Sequence, residues 1–160
     1  MTPDFLRLLT RLNKQGVKFV IIGGFASVVQ GCTFVTQDID ICCEFTSQNL
    51  LLLQKAVADL NPVHRMTPGK VKLYLTQENC KHYKNLYLDT DLGQLDCISY
   101  VKGIGSFHRV INCSQTIEAE KQRFHVLTIE ALIESKEAMN RPHDREAIVQ
   151  LKAIKKTRKN

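Results

Sequence analysis

Residues 17–41 of the chain read VKFVIIGGFASVVQGCTFVTQDIDI, and no other stretch restricts the fold as tightly. VKFVII is dense in β-branched residues and stops at Gly23-Gly24, so it reads as a short buried strand. FASVVQ reads as a short helix leaving that turn and closed by Gly31, and DIDICCEF as a second strand. Alternate residues of a strand share a face, so Asp38 and Asp40 point together while Ile39 and Ile41 point away. Two ionised carboxylates so placed repel each other unless a cation lies between them. By itself, QDIDI fits a strand with solvent-facing acids equally well.

The rest of the chain alternates in the same way. Thr2 and Pro3 open a first helix with Phe5, Leu8, Leu9 and Leu12 as its apolar stripe, and Gly16 stops it. Thr46 or Ser47 caps a helix running to Leu60, with Leu53, Val57 and Leu60 inward, and Asn61-Pro62 ends it. KVKLYL (70–75), NLYLDT (85–90) and QLDCISYV (94–101) read as strands, with DLGQ as a hairpin turn. FHRVIN and QRFHVL read as further short strands. Thr128 caps IEALIESKEAM, and after NRPHD a last helix carries REAIVQLKAIKK. The expectation is an α/β (α+β) domain: one mixed sheet flanked by helices, two of them C-terminal. Residues 1–160 are expected to form a single domain, with a core over about 17–101 and an extension over about 107–155.

Composition removes several alternatives. The chain is 44% apolar, and its longest apolar run is cut by Gly23 and Gly24, so no membrane span is expected. MTPDFLRLL has no basic region followed by an apolar stretch, so no secretory leader is expected and the cytoplasm is the expected compartment. The six cysteines show no CxxC or other zinc spacing, and the adjacent Cys42 and Cys43 point to opposite faces of their strand. They read as reduced thiols. The net charge of +6, with a terminal LKAIKKTRKN, favours a polyanionic partner, although the tail alone fits a solvated basic segment.

Asp96, flanked by Leu95, Cys97 and Ile98, offers a third carboxylate. If its strand lies beside the first pair, three acids can hold two ions for phosphoryl or nucleotidyl transfer. Gly23 and Gly24 allow close backbone approach, and a turn leading into a helix brings N–H groups toward an anion. Asp89 rivals Asp96 as the third acid.

VIIGGFASVVQG, TQDIDI and QLDCI together resemble the nucleotidyltransferase superfamily of the polymerase-β type. LTIEALIESKEAMNRPHDREAIVQL resembles the C-terminal helices of its small bacterial members, so the likeness spans about residues 17–152. The resemblance implies a nucleotidyltransferase fold and magnesium-dependent transfer of a nucleoside monophosphate from an NTP to a hydroxyl. It implies two Mg2+ ions, or Mn2+ in their place, on Asp38, Asp40 and Asp96, the last also helping to deprotonate the acceptor. Gly23 and Gly24 would hold the triphosphate, with Thr36 supporting the turn. Many members carry serine at the position of Gly24, so its hydroxyl contact would be absent or supplied by Ser27. The Gly-Gly form is similar to toxin-type and antibiotic-resistance-type branches. RNA, a tRNA 3′ end or a protein hydroxyl in a toxin–antitoxin pair are the acceptors this suggests, with a small-molecule antibiotic as the alternative. A silent nucleotide- or RNA-binding module is the rival from another class. A partner chain or homodimer would complete the cleft.

Lys136 sits on the apolar stripe of its helix and must snorkel outward or find an anion. A triphosphate and Asp144 serve equally. Arg141 reaches either phosphate or Asp144, and Asp144 itself reads as structural. The five histidines have no nucleophile setting, His143 being the one near Arg141, and the four tyrosines read as core or groove wall.

Overall fold

The computed structural model describes residues 3–158. Helix α1 (Phe5–Lys14) starts at Asp4, whose carboxylate accepts from the Arg7 N–H at 3.1 Å. The expected cap, Thr2, lies outside the described residues. Strand β1 (Phe19–Ile22) is fully buried and runs directly into α2 (Gly23–Val29), so the glycines form the first turn of the helix rather than a loop before it. β2 is Asp38–Cys43, and α3 is Ser47–Val57, capped by Thr46 and extended by a 3-10 turn over Ala58–Leu60. β3 (Val63–His64), β4 (Asn85–Thr90) and β5 (Gly93–Ile98) follow. β6 (Tyr100–Val101) and β7 (Gly105–Ser106) form a separate two-stranded ribbon ahead of α4 (Phe107–Asn112). β8 (Ser114–Ala119) and β9 (Gln122–Leu127) form a hairpin, and α5 (Ile129–Met139) and α6 (Arg145–Arg158) close the chain.

Seven strands make one mixed sheet in the order β3-β4-β5-β2-β1-β9-β8. β2 lies parallel to β5 and antiparallel to β1, while β1 lies parallel to β9. One sheet face carries Ile39, Ile41, Leu86, Leu88, Leu95 and Cys97, all buried, and alternation assigns the acids to the other face. The architecture is the expected mixed sheet flanked by helices with two helices at the C-terminus. No helix among the described residues is long and apolar enough to cross a membrane.

Three local expectations are corrected. FHRVIN is helix α4, not a strand: its buried residues, Phe107 and Val110, are three apart, which is a helical spacing. KVKLYL contributes a single bridge, Lys72 to Val63, although Leu73 and Leu75 alternate inward as a strand would. Its backbone is satisfied elsewhere: Leu73 N–H donates to the Pro62 carbonyl at 2.9 Å, and Leu75 N–H to the Gln54 side chain at 2.6 Å. QLDCISYV breaks after Ile98, where the chain leaves the main sheet for the β6–β7 ribbon.

Candidate active site

The sheet register assembles the acids. Asp40 on β2 is directly opposite Asp96 on β5, and Asp38 lies two residues before it on the same face. One carboxylate oxygen from each of Asp38, Asp40 and Asp96 falls within 4.8 Å of the other two. The rival third acid, Asp89, is outside this group and pairs with Lys70 at 3.1 Å. Burial, then the charges of Asp38 and Asp96, push the Asp40 carboxyl up to about 7, against the weaker pull of Lys136 and Arg141. Burial raises the Asp96 carboxyl as well, with Arg65 pulling it down.

The glycine pair is explained by what lies against it. Gly23 has a φ of +69°, and a Cβ there would overlap a carboxylate oxygen of Asp40. At Gly24 a Cβ would sit 3.0 Å from the Thr36 methyl, so Thr36 packs where a serine side chain would begin. Ser27 does not face the cleft. Its buried hydroxyl donates to the Gly23 carbonyl at 3.2 Å, one helical turn back, and so is committed to its own helix.

A cleft of about 830 Å³ opens over the acids. Gly23, Gly24, Asp38, Asp40 and Asp96 form its floor, while α5 contributes Lys136 and the 3-10 turn between α5 and α6 contributes Arg141 and His143. Asp144 organises the two cations and the imidazole beside them: Arg141 Nε donates to it at 2.6 Å, Lys136 Nζ at 3.4 Å, and the His143 ring lies 3.9 Å away. Lys136 is 4% exposed, so the anion it finds is Asp144, yet its charge still reaches Asp40 across the cleft. Burial opposes the charge on Asp144, but Arg141 and Lys136 outweigh it and hold its carboxyl below the ordinary value of 3.8.

Of the four tyrosines read as core or groove wall, Tyr87 and Tyr100 line the cleft. Tyr87 on β4 lies opposite Asp96, and Asn85, Tyr100 and Lys102 also line the cleft. Arg65, just beyond β3, carries no motif and was missed, but its guanidinium lies 2.7 Å from the Asp96 carboxylate. No local signal marks it, since β3 is only Val63–His64.

No protein-family model and no curated protein matches the chain. Solved structures do. The lincosamide antibiotic adenylyltransferase LnuA, solved with lincomycin bound, superposes with a TM-score of 0.62 at 16% identity, over 96% of this chain and 99% of its own. TM1012 of Thermotoga maritima, a nucleotidyltransferase by assignment, gives 0.57 at 15% identity, over 94% of both chains. The antibiotic-resistance factor ANT(2'')-Ia gives 0.57 at 15% identity, over 96% of this chain and 81% of its own. The chain has the fold these nucleotidyltransferase structures share.

Proposed function

We propose that this protein transfers a nucleoside monophosphate from an NTP to an acceptor hydroxyl, with residues 1–160 acting as one domain. The observation that carries the reading is the meeting of three carboxylates from two strands beside the Gly23-Gly24 turn. The donor set fits a hard divalent ion: it is all oxygen, half-buried to buried, and has a central carboxyl driven to about 7. Asp38, Asp40 and Asp96 would hold Mg2+, two ions by the family pattern or Mn2+ in their place, and bound there the metal would offset phosphate charge and acidify the attacking hydroxyl.

The protein's own groups supply the rest. Gly23 and Gly24 leave the floor free of side chains where the triphosphate backbone must approach. Lys136 and Arg141, fixed by Asp144, set positive charge on the opposite wall for the phosphates. The acceptor oxygen bonds to the α-phosphorus, the bond from that phosphorus to the bridging oxygen breaks, and pyrophosphate leaves. The hydroxyl proton passes to the Asp96 carboxylate.

For the acceptor, the tyrosines of the cleft support an anionic, ring-bearing molecule. Tyr87 is 37% and Tyr100 64% exposed, Lys102 stands beside them, and the chain carries a net charge of +6. Aromatic faces with basic residues suit an RNA end. A second reading, a small-molecule antibiotic, draws support from the lincomycin-bound LnuA and from ANT(2'')-Ia, also solved in complex with adenylyl-2''-tobramycin. Either activity requires a compartment with NTP, hence the cytoplasm, and a second copy or partner chain is the proposed outer wall of the open cleft.

Incubation with each α-labelled NTP, Mg2+ and either total RNA, a protein extract or a lincosamide tests this reading. Label entering RNA, and falling steeply with added salt, is the expected result. Label entering only the lincosamide favours the second reading, and label entering no acceptor under any condition contradicts transfer.

A further inference from the structure

Arg65 is held in three ways before it reaches the acids. Its backbone N–H donates to the Tyr87 carbonyl at 2.8 Å, carrying the β3–β4 pairing one residue further. Nη1 donates to the Leu88 carbonyl at 3.2 Å, and the guanidinium lies over the Tyr87 ring at 6.0 Å. The remaining Nη2 stands 2.7 Å from Asp96 Oδ1, with both side chains largely buried at 18% and 11% exposure. That short contact is an ion pair without hydrogen-bond alignment: Oδ1 has no aligned donor. The charge orients that oxygen while leaving it open to a competing cation. Arg65 does not line the cleft, so within the described residues its route to the reaction runs through Asp96.

We infer that Arg65 is a positioning residue for the third acid, fixing Asp96 in line with Asp38 and Asp40 and competing with a divalent cation for the same carboxylate. The inference rests on the proposed metal site. It has a two-sided consequence that simple structural support does not. Removing the guanidinium strips one positive charge from the edge of a three-carboxylate cluster, so a bare cation binds more tightly. The same change frees Asp96 from its fixed orientation, so turnover slows.

The test is Mn2+ binding, read from the electron paramagnetic resonance signal of the free ion, for the intact chain and its Arg65→Gln, Arg65→Lys and Asp38→Asn variants. Turnover is measured in parallel as pyrophosphate release. Arg65→Gln should bind Mn2+ about three- to tenfold more tightly while releasing pyrophosphate at least about tenfold more slowly, with the KM for NTP changed about twofold or less. Arg65→Lys keeps the charge, so its Mn2+ affinity should stay within about twofold of the parent and part of the turnover should return. Circular dichroism confirms that each variant is folded, and Arg65→Met, which also removes the charge, carries the same two expectations if Arg65→Gln is not. Unchanged or weaker Mn2+ binding in folded Arg65→Gln, or unchanged turnover, overturns the role of Arg65 alone. Absence of any Mn2+ binding that Asp38→Asn removes overturns the metal site, and this inference with it.

Discussion

At the scale of single residues, the site is a set of mutual exclusions. Gly23 is glycine because its φ of +69° and the Asp40 carboxylate leave no place for a Cβ. Gly23→Ala should therefore cost about 1–3 kcal/mol in urea unfolding and displace Asp40. Gly24→Ala meets only the Thr36 methyl, so its cost should be smaller and should be relieved by Thr36→Ser. Asp40 makes a pH prediction. Its folded carboxyl is raised from 3.8 to about 7, so the folded chain holds a proton that the unfolded chain has lost. The associated stability is complete below about 4 and is lost as pH rises through 7, in the absence of divalent ions. Chemical denaturation from pH 4 to 8 should show this decline, and Asp40→Asn should flatten it. The thiols offer another check. Burial pushes Cys42 up to about 12, Cys43 is raised too, and Cys113 alone is half-exposed. At pH 8 a thiol reagent should modify Cys113 well ahead of the other five, with all six reacting once the chain is unfolded.

At the scale of elements, the strand–turn–helix of β1 and α2 and the acidic strand β2 were readable because their signals are local. β-branched density, a glycine pair and a period of two each depend only on near neighbours. Asp96 needed more: its place follows from β5 lying parallel beside β2, a pairing between residues more than fifty positions apart, which the resemblance supplied and periodicity did not. Arg65 was illegible because nothing near it in sequence marks an arginine as the partner of an acid two strands over in the sheet. FHRVIN was misread because Val110 and Ile111 carry strand propensity, while the burial of Phe107 and Val110 makes the segment a helix. The junction of α5 and α6 makes its own prediction. Asp144→Ala would leave Lys136 buried and unpaired, a loss of about 3–5 kcal/mol. Because pairing lowers the Asp144 carboxyl, its contribution is present above 3.8 and is lost as pH falls through the lowered value. The stability gap between parent and Asp144→Asn should thus close in strong acid.

At the scale of the whole molecule, the fold divides its labour between the two faces of one sheet. Ile39, Ile41, Leu86, Leu88 and Leu95 seal one face, while the other keeps three acids under a cleft whose walls differ in chemistry. Lys136 on α5 and Arg141 just after it line that cleft, as do Tyr87 on β4 and Tyr100 and Lys102 of the β6–β7 ribbon. On the proposed function, the cations would take the phosphates and the tyrosines the acceptor. The central claim is that the acids act on the α-phosphorus, and isotope position reads this directly. With ATP labelled at either the α- or the γ-phosphate, Mg2+ and total RNA, the α-label should enter the acceptor and the γ-label should leave as pyrophosphate. Asp40→Asn and Asp96→Asn should both abolish incorporation without unfolding the chain. Incorporation of the γ-label, or undiminished α-labelling by folded Asp40→Asn, would contradict the account.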